Sequence, residues 1–230
     1  LRNLVFSKKR APIKILDIGC SYGDFTVELW KMNKEGKTIG IDITEIGIYE
    51  ARRRYPMIDF KVAALPEVEI EENDFDLITC LESIYYIPMD GRIAGLKRIK
   101  ELLKDDGYFL ISVPHARNHP LYFTKESFFE FITSEFELIH REYNYGGLYY
   151  FFEIPLFRTY WRAVGLARKE KWKKKLGPIH RLVKPMALFI AKWIRFILSL
   201  KYPAIILFYL GRKLFPARSI THSIALCKKK

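Results

Sequence analysis

The stretch KILDIGCSYGD, residues 14–24, changes from an apolar run to a glycine turn and then to a helix start. Its Ile and Leu residues show no polar alternation, which is typical of a strand buried on both faces of a parallel sheet. Gly19 and Gly23 flank the turn, where a residue without a Cβ permits positive φ or a close approach to a ligand. Residues 25–32 are predicted to form a helix whose first N–H groups face that ligand. The stretch therefore indicates a nucleotide-type binding loop between a strand and a helix.

The spacing of the glycines distinguishes two kinds of binding loop. The dinucleotide fingerprint requires G-x-G-x-x-G, whereas here the order is Gly19, Ser21, Gly23, with Asp17 shortly before the first glycine. This order resembles motif I of the class I S-adenosylmethionine (SAM) methyltransferases, in which an acidic residue and one further residue precede G-x-G-x-G. Ser21 stands in place of the middle glycine. For the loop taken alone, an ordinary turn between a strand and a helix remains the alternative.

A second signal follows downstream at the end of another apolar strand, predicted at residues 38–43. Asp42 lies there, about twenty residues after the loop, where a carboxylate can accept hydrogen bonds from both hydroxyls of a ribose. Residues 61–65 are predicted to form a third strand. In the resembling family an Asp often follows that strand and holds the adenine amino group, but here the run 62–66 is Val-Ala-Ala-Leu-Pro. We therefore expect backbone groups and apolar contacts to hold adenine.

Two further stretches extend the resemblance. DLITCLESIYYIP, residues 76–88, resembles the fourth strand and following loop of the ubiquinone-type O-methyltransferase branch. In that branch an acidic residue and then a Glu-His pair follow the strand; Glu82 matches the first, and Tyr85 and Tyr86 stand where the pair would be. LLKDDGYFLISVP, residues 102–114, matches a helix end, a turn at Asp106-Gly107 and the fifth strand. Four motifs in the right order identify the chain as a member of this class.

The resemblance covers residues 13–143 and resumes at the final strand. It implies an α/β, Rossmann-like class I methyltransferase fold with a seven-stranded, mostly parallel sheet and an antiparallel last strand. Strands six and seven are predicted at 136–143 and 219–228, and a long segment separates them. We therefore predict a SAM-binding methyltransferase core at 1–143 and 218–230. A helical insertion between strands 6 and 7, at 144–217, would serve as a substrate lid.

The resemblance also implies roles for residues of the cofactor site, with S-adenosyl-L-methionine as cofactor. The residues expected around the methionine end are Asp17, Gly19, Ser21 and Gly23, with Asp42 at the ribose and Glu82 near the methionine portion or the acceptor. A turn-capping carboxylate is the alternative for Asp17. The chain would thus hold SAM at the carboxyl edge of the sheet.

Catalysis follows from the chemistry of the cofactor. Methyl transfer from a sulfonium is an in-line displacement, so alignment of the acceptor and exclusion of water supply most of the catalysis. An oxygen acceptor must also lose a proton. Because an open α/β sheet binds ligands at its carboxyl edge, His115, just after the fifth strand, is predicted as the base, followed by His119 and Tyr86. A loop histidine satisfied by backbone hydrogen bonds is the alternative for His115.

Basic charge is concentrated in the last third of the chain. Residues 155–230 hold 19 Lys or Arg and one acidic residue, a net charge of +18, whereas the preceding residues have a net charge of −5. Apolar sequence is interleaved with it, above all at 186–200. This run is predicted to form an amphipathic helix that begins at Pro185. Lys192 and Arg195 lie on its narrow polar stripe.

This basic, apolar segment predicts contact with a membrane surface. A transmembrane span needs about 20 uninterrupted apolar residues, and Lys192, Arg195 and Lys201 interrupt this one. A helix lying in the plane of the interface fits better. We therefore expect residues 155–216 to bind an anionic membrane surface and the enzyme to methylate a hydrophobic or lipid-linked acceptor. Alternatives are a cap over the active site, a homodimer contact through the insertion, and a soluble small-molecule acceptor.

Other classes of function are less compatible with the sequence. RKEKWKKK, residues 168–175, could bind RNA, but the neighbouring segment is too apolar for a solvated nucleic-acid face. A non-catalytic SAM-fold scaffold is a further alternative, because Ser21 and the Tyr85-Tyr86 pair depart from the family pattern. The three cysteines, Cys20, Cys80 and Cys227, lie far apart without metal-ligand spacing. We therefore expect reduced buried thiols, no metal and a cytoplasmic protein. The basic, apolar insertion adds the expectation of peripheral membrane association. The sequence thus predicts a SAM-dependent O-methyltransferase.

Overall fold

The computed structural model describes residues 5, 12–115, 121–145, 156, 158–160, 162–166, 174–199 and 220–230. Contacts divide the chain into two units. The first, which we call the core unit, comprises Leu1–Tyr143 and His222–Lys230, and the second, the insert unit, comprises Asn144–Thr221.

The core unit alternates strands and helices. In chain order these are β1 (Lys14–Ile18), α1 (Asp24–Met32), β2 (Lys37–Asp42), α2 (Glu45–Arg54), β3 (Asp59–Val62), β4 (Phe75–Leu81), α3 (Met89–Leu102), β5 (Leu103–Pro114), α4 (Lys125–Thr133), β6 (Phe136–Tyr145) and β7 (Ile220–Lys229). A 3₁₀ turn, Ile84–Tyr86, follows β4. In the insert unit a second 3₁₀ turn, Gly177–Ile179, leads into α5 (His180–Ser199).

The seven strands form one sheet in the order β3-β2-β1-β4-β5-β7-β6. β1 pairs in parallel with β2 and β4, β2 with β3, and β4 with β5. β7 pairs antiparallel to β5. The predicted fold class, a mostly parallel sheet with an antiparallel last strand, is confirmed. The chain leaves β1 toward β2 on one side and later returns to β4 on the other, which creates the crevice where such sheets bind ligands.

The middle of the sheet is buried on both faces, as the apolar run at β1 predicted. Successive side chains of a strand point to opposite faces. Leu16 and Ile78 pack in one cluster with residues of α3 and α4. Ile15 and Leu77 pack in another with Leu29 of α1. Burying a side chain of this size contributes roughly 1.5–3 kcal/mol, so these alternating contacts hold β1 at the centre.

Two predicted boundaries in the core unit are wrong. The third strand was expected at 61–65, but β3 ends at Val62, opposite Asp42, the last residue of β2. Its partner strand ends there, so residues 63–65 leave the sheet and become available to the ligand crevice. A turn is also expected at Asp106-Gly107, but β5 runs through these two residues. The register of its pairing with β4 shifts between Phe75 and Leu77.

The insert unit differs from expectation at the start of its long helix. α5 begins at His180, and Pro185 lies inside it rather than at its first position. Proline removes one backbone donor and breaks or kinks most helices, and here five residues of the 20-residue helix precede it. Within the part of the chain that the structure describes, no helix is long and apolar enough to cross a membrane.

The three cysteines lie in the core unit. Cys20, Cys80 and Cys227 are buried and free. The prediction of buried thiols is therefore confirmed. Burial raises the pKa of the Cys80 and Cys227 thiols to about 12, so they are protonated and unreactive at neutral pH.

Candidate active site

A cleft of about 580 Å³ opens at the carboxyl ends of the first four strands. This volume lies within the range of small-molecule sites, and the cleft occupies the crevice between β1 and β4 where the strand order reverses. Its lining is mainly apolar with a few polar groups: Ile18, Gly19, Ser21, Asp42, Ile43, Thr44, Ala63, Ala64, Leu65, Cys80, Glu82, Ser83, Ile84, Tyr86, Ile87 and Pro88.

The loop after β1 has an unusual backbone. Gly19, Ser21 and Gly23 all have positive φ, at 76°, 50° and 79°. A Cβ at Gly19 would overlap Ser83, so the close approach of these two residues requires glycine. The amide of Gly19 donates to the carbonyl of Ile41 at 2.8 Å, which ties the loop to β2. Ser21 adopts the left-handed conformation that glycine favours. The loop therefore keeps this backbone shape although serine stands in place of the middle glycine.

Asp17 lies in β1, shortly before this loop. It is buried, and it is absent from the residues that line the described cleft. The hydroxyls of Thr26 and Thr79 donate to its two carboxylate oxygens at 2.7 and 2.6 Å. Burial raises the pKa of Asp17 to about 6, although the two hydroxyls oppose that rise. The structure thus gives Asp17 neither the predicted place beside the methionine end nor the alternative turn cap; it joins β1, α1 and β4.

Asp42 lines the cleft at the end of β2, as predicted. Its Oδ2 accepts the amide of Ser21 at 2.8 Å. Its Oδ1 accepts both the amide and the hydroxyl of Thr44, at 2.8 and 2.6 Å. A carboxylate has about four acceptor positions, so one remains for a ribose hydroxyl. A second ribose hydrogen bond would require the Thr44 hydroxyl to turn away.

The wall beside Asp42 is apolar. Ala63, Ala64 and Leu65 follow β3, and Ile43 lies opposite the end of that strand with most of its side chain exposed. Among the lining residues of the described cleft that lie between β3 and β4, none is a carboxylate. This composition suits an adenine held between aliphatic side chains, as the sequence predicted.

Glu82 follows β4 and lines the opposite wall of the cleft. It has φ of 54°, which is uncommon for a residue with a Cβ. Two hydrogen bonds with Ser112 of β5 hold it: its amide donates to the Ser112 carbonyl at 3.1 Å, and the Ser112 hydroxyl donates to Oε1 at 2.6 Å. Its second oxygen, Oε2, lies 3.7 Å from Nε2 of His222.

The predicted bases occupy different situations. His115 does not line the cleft; its Nδ1 lies 3.0 Å from the Phe123 carbonyl, and its Nε2 lies 2.7 Å from the Ser223 hydroxyl. Burial lowers the pKa of His115, which favours a neutral ring, and such a ring can donate one hydrogen bond and accept the other. This arrangement matches the alternative of a structural loop histidine. His119 lies outside the described residues.

Tyr86, the third predicted base, does line the cleft. It is largely exposed, and its ring centroid lies 4.6 Å from that of Tyr85. Burial raises the pKa of the Tyr85 phenol. The two rings provide an aromatic wall beside Glu82, with Tyr85 as its buried support.

Two residues of the site were missed in the sequence. His222 falls within the strand predicted at 219–228, and β7 runs antiparallel, so its first residues lie at the carboxyl edge, where His222 pairs with Pro114. The predicted direction of that strand could have revealed this. Arg92 is buried, and its guanidinium donates to the carbonyls of Tyr85, Ile87 and Leu121. It fixes the turn that carries the aromatic wall, and no local motif marks it.

The arrangement fits a nucleoside with a charged tail. Asp42 can receive a ribose, the aliphatic wall can receive a purine, and the loop between Gly19 and Gly23 brings the backbone close to the ligand. Among the described residues, no group of three or more His, Cys, Asp or Glu side chains could hold a metal ion. The cleft is therefore suited to bind SAM.

Comparisons with known proteins agree with this geometry. Residues 15–107 match a family described as "Methyltransferase domain". Over 101 residues the chain is 32% identical to a carboxy-S-adenosyl-L-methionine synthase of Nautilia profundicola, covering 43% of each chain. Over 92 residues it is 30% identical to the mitochondrial ubiquinone biosynthesis O-methyltransferase of Saccharomyces cerevisiae, covering 37% of this chain and 28% of the relative.

The chain spans less than half the length of the curated relatives that it matches. A solved structure, a TehB-like SAM-dependent methyltransferase from Corynebacterium glutamicum, superposes with a TM-score of 0.51 and 27% identity over 60% of this chain and 73% of its own. The narrower ubiquinone-type branch stays a prediction. Residues 15–107 therefore form a methyltransferase domain that is similar to the class I SAM-dependent methyltransferases.

Proposed function

We propose that this protein transfers the methyl group of SAM to an oxygen of a hydrophobic or lipid-linked acceptor at the surface of an anionic membrane. The oxygen acceptor is favoured by the resemblance of residues 76–88 to the O-methyltransferase branch. When bound, SAM supplies an electrophilic methyl group. The chain's part is to hold the nucleoside at Asp42, align the acceptor against the aromatic wall, and exclude water.

The acceptor side of the cleft favours an apolar molecule. Ile84, Ile87 and Pro88 line it next to Tyr86. Met89, the first residue of α3, is largely exposed beside this wall. Such a wall offers few hydrogen bonds and much apolar area, so it would bind a prenyl chain or an aromatic ring better than a sugar or an amino acid.

One observation carries the membrane part of the proposal: an exposed apolar stripe on α5. Leu182, Met186, Phe189 and Trp193 recur at spacings of four, three and four residues, so they lie on one side of the helix. All four are more than half exposed. On the other side, Ala187 and Ala191 are buried against Ala163 and its neighbours. The four large residues of the stripe therefore face outward, whereas Ala187 and Ala191 face the unit's own core, a pattern typical of interfacial helices.

Charge complements the stripe. Arg181 and Lys192 flank it on α5, Lys184 lies on the opposite side of the helix, and the segment from residue 155 onward carries a net charge of +18. Near an anionic surface each Lys or Arg contributes about 1 kcal/mol. Cations with long aliphatic stems can remain at headgroup level while the stripe enters the boundary of the acyl chains. Anionic lipid is thus the partner whose chemistry matches both features.

Flotation with anionic vesicles tests the proposal, with Met186→Glu as the variant and Met57→Glu as its control. Met186 and Met57 are 66% and 54% exposed, and each substitution adds one negative charge. We expect the wild type and Met57→Glu to float. Met186→Glu loses the burial of a methionine as well, so its partition coefficient should fall at least ~10-fold further. A wild type that stays in solution would refute membrane docking.

Methyl transfer is tested with labelled SAM and total lipid extract. Label recovered in an organic-soluble product that resists mild base, and that hydriodic acid releases as methyl iodide, would identify a methyl ether of a lipid acceptor. SAM binding without label in any lipid fraction would instead favour a soluble acceptor or a non-catalytic scaffold. Binding to RNA with steep salt dependence, in a protein that does not float, would favour a nucleic-acid substrate.

A further inference from the structure

The carboxylate of Glu82 lies close to the imidazole of His222, which comes from a distant part of the chain. Both side chains are partly exposed at the carboxyl edge of the sheet, at 39% and 36%. Glu82 lines the cleft between the loop after β1 and the aromatic wall. His222 reaches it from β7, which the antiparallel pairing with β5 brings to the same edge.

The hydrogen bonds of Glu82 hold one of its carboxylate oxygens and leave the other near His222. Oε1 accepts the Ser112 hydroxyl at 2.6 Å, which fixes the rotation of the carboxylate. Oε2 lies 3.7 Å from Nε2 of His222. The left-handed φ of 54° costs free energy that the two bonds to Ser112 offset. A strained residue held in place at the edge of a cleft is the kind of feature that active sites retain.

We propose that Glu82 is the general base of the transfer, that His222 carries the proton onward to solvent, and that Ser112 is a positioning residue for Glu82. This inference rests on the proposed oxygen acceptor. The acceptor hydroxyl gives its proton to Oε2 of Glu82 while its oxygen lone pair forms the bond to the methyl carbon. The electron pair of the broken carbon–sulfur bond stays on sulfur, so the products are a methyl ether, S-adenosylhomocysteine and one proton.

The neighbouring titratable groups agree with this assignment. His115, the sequence-based candidate, has both ring nitrogens occupied by Phe123 and Ser223. Tyr85 comes from the 3₁₀ turn after β4, and burial raises the pKa of its phenol, so it is neutral. Burial lowers the pKa of His115, and the carboxylate of Glu126 in α4 opposes that shift. Tyr86 shares the cleft with Glu82 and can stack on the acceptor.

A binding experiment tests the base without turnover. The full chain is saturated with S-adenosylhomocysteine and titrated with chromophoric phenols such as 4-nitrophenol, below the pH at which the free phenol ionises. A hydrogen bond from the phenol to the Glu82 carboxylate shows as a red shift in the absorbance of the bound, un-ionised phenol. We expect this shift in the wild type and in the controls Glu69→Gln and His140→Asn, which change exposed side chains outside the cleft lining.

Glu82→Gln keeps an oxygen for the Ser112 hydroxyl, so it should fold and bind the phenol with a smaller red shift. Ser112→Ala should give an intermediate shift, and a structural role of Ser112 alone would leave the shift unchanged. His222→Asn should keep the shift, because it leaves the carboxylate in place, and should lower kcat, because the proton then lacks its onward route. With a farnesylated phenol as acceptor, Glu82→Gln should lower kcat ~10²–10⁴-fold with little change in KM. The loss should shrink for phenols acidic enough to be ionised already.

Three results would overturn the inference: a wild type whose bound phenol shows no red shift, a Glu82→Gln variant that shifts the absorbance as the wild type does, or no phenol binding at all. The proposed function fails by a separate route. A wild type that red-shifts the bound phenol but methylates no lipid fraction would support the Glu82 assignment and exclude the lipid-linked acceptor.

Discussion

Replacing Asp17 by Asn should change how the stability of this protein depends on pH. Burial raises the pKa of Asp17 from 3.8 to about 6 in the folded protein. Between these two values the unfolded chain has lost the proton that the folded chain still binds, so stability falls as pH rises. At 1.36 kcal/mol for each unit, the ionised carboxylate costs the folded state about 3 kcal/mol above pH 6.

Asn at this position carries no charge, and its amide can still bond with the hydroxyls of Thr26 and Thr79. Urea unfolding of the wild type and of Asp17→Asn, from about pH 4 to about pH 7, should therefore give a difference that grows in favour of the variant by about 3 kcal/mol. Asp105→Asn, a change at a fully exposed carboxylate, serves as the control. Parallel stability curves for the wild type and Asp17→Asn would refute the argument, because they would show that Asp17 has the same pKa in both states.

Two further predictions concern the binding loop and the ribose contact. Gly23→Ala should destabilise the protein and weaken SAM binding, because φ is 79° and the new Cβ would lie 2.7 Å from the Phe60 ring. Gly177→Ala is the control, because φ is 52° and nothing lies within 4 Å of the new Cβ, so only the backbone conformation costs free energy. In urea unfolding we expect a loss of about 1 kcal/mol in the free energy of unfolding at Gly177 and about 1–3 kcal/mol more at Gly23. Asp42→Asn should weaken SAM binding roughly 10-fold or more in calorimetry, since a hydrogen bond to a charged group contributes about 1.5–3 kcal/mol; unchanged affinity would place the ribose elsewhere.

Local sequence determined the first half of the fold. The apolar run before Gly19 can be buried only between two helical layers, and glycines at the turn permit the positive φ that the loop requires. Asp42 could be predicted because it closes the neighbouring parallel strand, and strands of one direction bring their ends to one edge. These inferences need only short-range patterns and the geometry of parallel strands.

Tertiary structure decided the roles of the titratable residues. The sequence placed Asp17 beside the cofactor, but the hydroxyls of Thr26 and Thr79 hold it beneath the loop. His115 had the expected position in the chain, yet its ring is occupied by a carbonyl and by Ser223, the latter more than one hundred residues away. Such contacts depend on how distant strands pair.

His222 shows the same limit from the other side. Along the chain it is one residue of a strand near the C-terminus, far from Glu82, and nothing in its neighbours marks it as part of a site. Only the antiparallel pairing of β7 with β5 sets it opposite Pro114 and brings its ring to the carboxylate. Sequence alone determined the sheet, the loop and the cofactor class, because these follow from local pattern. The partners of each ionisable group were decided by long-range packing, which no short stretch of the chain encodes.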